Sequence, residues 1–180
     1  MKGKIFLCAV VVLAFSCNEK NDPPKVAGAT TTSTDKAPVS FPLPVSYSSS
    51  FEMGNPAYAK MIVQGSWKDW QDNTMDHMKN WVADTVELIG SDAKVIRGAD
   101  SVIANWKRGR AAYTNVVDTI DAVMPVYSTD KKENWVLVWA TEMSTKDGVR
   151  DTVSEMETWR INKDGKADMV LQYDRHRRKK

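Results

Sequence analysis

The sequence predicts an α+β domain: a curved antiparallel sheet wrapped as a cone around three N-terminal helices. Three observations lead there. Apolar residues recur at helical spacing between residues 56 and 113, then alternate in strand fashion from 114 onward. Asp147-Gly148 and Asp164-Gly165 separate alternating runs, and each glycine accepts the positive φ of a tight hairpin. Helices first and a meandering sheet afterwards place the helices on one sheet face.

Pro56 suits a first helical turn, with Asn55 before it as cap. Ala59, Ile62, Val63, Trp67 and Trp70 then mark a first helix to about Trp70, ended by Asp72-Asn73-Thr74. Met75, Met78, Trp81 and Val82 form the stripe of a short second helix. Val86 to Ile89 and Ala93 to Ile96 read as short strands around Gly90-Ser91-Asp92. Gly98 precedes a third helix whose apolar face is Val102, Ile103, Trp106 and Tyr113. Four long strands follow: Val116 to Val126, Asn134 to Ser144, Arg150 to Asn162, and Lys166 to Tyr173.

The N-terminus is of another kind. Lys2 and Lys4, an apolar run from Ile5 to Phe15, Ser16 and then Cys17 read as a signal peptide over residues 1–16. Eleven apolar residues are too few for a span of about twenty. A small residue followed by cysteine resembles the lipoprotein type, which implies lipidation at Cys17 and a membrane anchor in the bacterial cell envelope. Phe15 departs from that pattern, which favours a small residue there. Residues 17–55 hold Pro23, Pro24, Pro38, Pro42 and Pro44 and a Thr/Ser run, a composition expected to form a disordered tether. The folded domain is placed at residues 56–174, and residues 175–180 form a basic tail.

Charge narrows the partners. Lys+Arg is 25 and Asp+Glu is 23, and cleavage after Ser16 removes two lysines and no acid, leaving 23 against 23. Five of those positive charges lie in the last six residues, so the domain itself is mildly acidic and no nucleic-acid partner is expected. Cys8 leaves with the signal and Cys17 is taken by lipid, so no disulfide forms within the mature chain. With only His77 and His176 besides, common zinc sites are excluded. Asn162, Asp164, Lys166 and Asp168 imitate a calcium loop, but Tyr173 stands at its twelfth position and Asp164-Gly165 is explained as a turn. No metal or cofactor is expected.

Four pieces of the chain, in this order and spacing, resemble the SnoaL-like branch of the nuclear transport factor 2-like superfamily. They are Trp81 to Val86, Ile96-Arg97-Gly98, Trp135 to Trp139, and Glu157 to Ile161 followed by Asp164-Gly165-Lys166. The resemblance implies a pocket at the wide end of the cone. That fold hosts isomerases, cyclases, binding modules and interaction domains, so it does not choose among them.

Glu157 is the first candidate site residue. On its strand, Val153, Glu155, Glu157, Trp159 and Ile161 share the better core face, which turns Glu157 inward. A carboxylate facing an apolar cavity gains a raised pKa suited to proton transfer. The resemblance independently puts an acid–base Asp near this position. The alternative is a structural Glu157 that pairs with Arg97 or Lys94, or reaches solvent at the cone's mouth. Trp70, Trp106, Trp139, Trp159 and Tyr173 are candidate pocket walls for an apolar or amphipathic ligand, with ordinary core packing as the competing reading. Asp118 is expected to stay wet near its strand's start. Gln172 has a family counterpart, yet alternation with Leu171 and Tyr173 points it outward. Function is left between a binding module, an isomerase or cyclase using Glu157, and an interaction subunit. Apolar residues on both faces of Trp135 to Trp139 suggest a homodimer through the sheet.

Overall fold

The computed structural model describes residues 41–176; the expected signal peptide, the expected lipidation site Cys17 and the last four basic residues lie outside the described residues. The first described element is a strand, β1 (Phe51–Met53), inside the stretch that composition assigns to the tether. A continuous helical rod follows as α1 (Pro56–Ile62), a π-turn (Val63–Trp67) and α2 (Lys68–Asp72). Asn55 caps it as expected, accepting the Ala57 N–H at 2.9 Å, and Asn73 closes it in the left-handed region. A 3₁₀ helix (Met75–Asn80) takes the place of the short second helix and buries Met75 and Met78.

The strands β2 (Val82–Ile89) and β3 (Val95–Arg97) pair around the Gly90 turn. Gly98 then turns the chain at φ 87, donates to the Val86 carbonyl at 2.8 Å, and starts α3 (Ala99–Arg110). That positive φ is why a glycine stands there. Strands β4 (Thr114–Ser128), β5 (Glu133–Lys146), β6 (Val149–Ile161) and β7 (Ala167–His176) follow as the alternation predicts.

Sheet order is β1-β4-β5-β6-β7-β2-β3. The sheet is mixed rather than wholly antiparallel, because β2 pairs parallel to β7. The expectation of an antiparallel sheet followed from the hairpins, which say nothing about the strand placed before α3. β1 pairs antiparallel to β4, with Glu52 opposite Tyr127, and the chain before it also docks. Ser48 donates to Asp130 at 2.6 Å, and Tyr47 meets Trp135 edge-on at 6.0 Å. Composition therefore misjudges this end of the tether: β4 offers it an open edge.

The dry core lies where α1 and α3 cover the sheet. Ile62, Val102, Val136, Val138, Trp159 and Val170 are its innermost side chains. Trp159 is fully buried and packs against Trp81 at 5.6 Å and Trp106 at 5.8 Å between ring centroids. Gly65, in the π-turn, lies against Trp81: a Cβ there would sit 2.5 Å from Trp81 Nε1.

Candidate functional site

The inner sheet face changes character along each strand. On β5 it runs Val136, Val138, Ala140, Glu142, Ser144, and every one of these is buried. On β6 it runs Ile161, Trp159, Glu157, Glu155, Val153. One end of the cone is apolar and filled; the other is lined by carboxylates and holds a cavity of about 680 Å³. Trp67, Trp70, Trp106 and Tyr113 wall it from the helical side, and Glu142, Glu155, Glu157 and Gln172 from the sheet. The π-turn contributes here by bringing Ser66 and Trp67 to the wall.

Glu157 lies at the boundary between the two ends and is only 5% exposed. Its Oε1 accepts from Gln172 Nε2 at 2.6 Å and its Oε2 from Trp159 Nε1 at 2.9 Å. Burial pushes its pKa up to about 7 against the pull of these donors. The Trp67 indole N–H, directed at the same carboxylate, also lowers it. Among the described residues no ion pair holds Glu157: Arg97 pairs with Glu87 at 2.8 Å and Lys94 with Asp92 at 2.6 Å.

Two further acids carry raised pKa values. Burial, then the charges of Glu157, Glu142, Asp118 and Asp174, push Glu155 up to about 9. Burial, then Glu142 and Glu157, push Asp118 up to about 7, with Arg110 opposing. Asp118 stands directly opposite Glu142 in the β4–β5 register. Both its carboxylate oxygens are buried without a hydrogen-bond partner, so the expectation of a wet side chain is wrong. Glu142 itself is 4% exposed and accepts the Trp70 indole N–H at 2.6 Å.

Gln172 is a second correction. It faces inward because a bulge shifts the β6–β7 register between Arg160 and Ile161: Arg160 pairs with Met169, yet Ile161 pairs with Ala167. The extra residue reverses the alternation on β7, so Ala167, Val170 and Gln172 point the same way. Of the five aromatic candidates, Trp70 and Trp106 line the cavity. Trp159 lies beneath it in the core, and Tyr173 stands at its rim, 56% exposed. Trp139 lies between Val138 and Ala140, both buried inward, so it belongs to the other sheet face. Sequence reading missed Trp67 and Tyr113 as walls, and Glu142 and Glu155 as acids. The alternation that found Glu157 also placed Glu155 inward.

No protein-family model matches the chain, and no curated protein matches it. Among solved structures, the match with a SnoaL-like polyketide cyclase from Shewanella denitrificans has a TM-score of 0.55 at 10% identity, covering 67% of this chain and 92% of that one. Rv0760c from Mycobacterium tuberculosis, in complex with estradiol-17β-hemisuccinate, matches at 0.52 and 22% identity, covering 64% and 92%. A ketosteroid isomerase-like protein from Catenulispora acidiphila, in complex with trimethylamine, matches at 0.52 and 16%, covering 62% and 83%. The described domain therefore shares its fold with these SnoaL-like and ketosteroid isomerase-like structures.

Proposed function

We propose that the domain binds a small organic molecule in the cone's cavity, with Glu157 as the polar group at its inner end. The observation that carries this reading is a roomy cavity in which aromatic walls and a buried, fully oriented carboxylate converge. Neighbours of the same fold hold a steroid ester and trimethylamine, and they support the reading for this chain as analogy only. Native mass spectrometry of protein purified from its host is the test. A retained small-molecule mass that Glu157→Leu fails to carry is the expected result. Bare polypeptide, together with no thermal shift from a panel of small organic ligands, overturns it.

A second reading has its own support. A carboxyl with a pKa raised to about 7 and a second polar side chain on the same point are what an isomerase or cyclase needs. Gln172 supplies that second group. Turnover of any bound ligand that Glu157→Gln abolishes while binding persists would favour this over simple binding.

In the same proposal the domain is held at a membrane of the bacterial envelope by lipid on Cys17. The basic start, apolar run and Ser16-Cys17 pair support this, and globomycin-sensitive processing with loss of labelling in Cys17→Ser tests it. A homodimer through the sheet is supported by Ala122, Trp139 and Met156, which stand in line across β4, β5 and β6. Sedimentation of Trp139→Lys against the unaltered chain reads it.

A further inference from the structure

We propose that the cavity is built for an organic ammonium ion, an amine or quaternary nitrogen carried on an apolar body. This rests on the reading of the cavity as a ligand site and names the chemistry that it takes.

The first observation is a charge imbalance. Acids face the cavity from three strands: Glu142 on β5, Asp151, Glu155 and Glu157 on β6, and Asp174 on β7, with Asp118 of β4 behind Glu142. The cations near them are committed elsewhere. Arg110 of α3, 9% exposed, spends its guanidinium on three backbone carbonyls: Trp70 at 2.6 Å, Tyr113 at 2.8 Å and Gln71 at 3.0 Å. Lys146 lies over the Tyr113 ring at 5.5 Å, and His176 meets Asp151 at 3.0 Å. Nothing cationic among the described residues hydrogen-bonds Glu142, Glu155 or Glu157.

The second observation is independent of the acids. Trp70, Trp106 and Tyr113 line the same space, and an aromatic face attracts a cation more strongly once water is excluded. Lys146 already uses Tyr113 in this way at the mouth. Trp67, 5% exposed, adds a further aromatic ring to the wall. Without a ligand, protons held on Glu155, with its pKa raised to about 9, and in part on Glu157, raised to about 7, limit the charge on this wall. A bound ammonium replaces them: the O–H of a carboxyl breaks, its proton passes to the buffer, and the carboxylate stays beside the ligand.

Titration calorimetry at pH 7 in phosphate and in Tris, with four matched probes, decides it. These are benzylamine, benzyltrimethylammonium, benzyl alcohol and benzoate. Both cations should bind at least about tenfold more tightly than benzyl alcohol, and benzoate more weakly still. Cation heats should differ between the buffers by an amount that reports proton release. Glu155→Gln, an isostere of the protonated side chain, should keep the fold, weaken the cations about tenfold and leave benzyl alcohol unchanged. Benzyl alcohol or benzoate binding as well as benzylamine, or cation binding without proton release, overturns the proposal while leaving a small-molecule site intact. If none of the four binds, the ammonium assignment falls. A ligand retained from the host and found neutral would then preserve the cavity reading alone.

Discussion

Gln172 Nε2 donates to Glu157 Oε1 at 2.6 Å, and it does so only because a bulge in β7 reverses which residues of that strand face the cone. The bond orients the carboxyl and stabilises its charged form. Replacing Gln172 with Leu should therefore raise the Glu157 pKa above about 7, since burial is then opposed by fewer donors. Carbon-13 NMR titration of the glutamate carboxyls reads the shift. An unchanged or lower midpoint would contradict the hydrogen bond's role.

The raised acids give the fold a pH dependence of definite sign. An acid whose folded pKa exceeds its ordinary value of 4.5 favours the protonated folded state, so stability is full below that value and falls as pH climbs. The fall should run from about pH 4.5 to about 7 for Glu157 and continue towards about 9 for Glu155. Glu157 alone would contribute on the order of 3 kcal/mol between the ends of its window. Melting temperature should be higher at pH 5 than at pH 8, and Glu157→Gln with Glu155→Gln should flatten that slope. A profile that rises with pH would reject this account.

Gly65 is the next test. A methyl there would lie 2.5 Å from Trp81 Nε1 and 2.7 Å from Trp81 Cε2, and Trp81 is held in turn against Trp159. The ring has no room to give. Gly65→Ala should cost about 1–3 kcal/mol, seen as a lower urea midpoint. An unaffected midpoint would mean that the π-turn and the ring do not pack this closely in solution.

How far the residues themselves announced all this differs by element. Alternation over Val153 to Ile161 was enough to turn Glu157 and Trp159 inward, because β6 is regular through that stretch. The same rule failed for Gln172, since one bulged residue flips every later side chain and leaves no mark in composition. Asp118 was misread because its burial depends on β5 lying beside it, a long-range fact. Trp139 was assigned to the cavity by residue type rather than by parity; its neighbours Val138 and Ala140 already gave the correct face. Residues 47–53 look like tether because their stabilisation comes from the β4 edge and from Trp135.

Arg110 ties the end of α2 to the start of β4 through carbonyls of Trp70, Gln71 and Tyr113. Three fixed donors in one plane suit guanidinium and not ammonium. Arg110→Lys should lose about 1–3 kcal/mol, because a single ammonium cannot replace all three guanidinium bonds; Trp70 O would keep the Asn73 N–H at 3.1 Å, while Gln71 O and Tyr113 O would lose their Arg110 donors. Gln71, whose side chain accepts from Asp118 N at 2.9 Å, would loosen with it. Hydrogen exchange should then quicken at Asp118 before it does on β5. Uniform protection across both strands would show that Arg110 is dispensable as a clamp.

The docked segment before α1 yields the last prediction. β1 covers the outer edge of β4, with Phe51 opposite Ser128 and Met53 opposite Val126, and Thr129 N donates to Ser50 O at 2.8 Å. Removing residues 41–53 would uncover those backbone groups and the ring of Trp135, which Tyr47 now meets. An open strand edge next to apolar side chains recruits another chain. A chain beginning at Gly54 should therefore keep its cavity, because none of the lining residues lies in the deleted part. It should also melt earlier and self-associate with rising concentration. Light scattering compared with a chain beginning at Phe41 measures this, and a monodisperse, equally stable product would show that the β4 edge needs no cover.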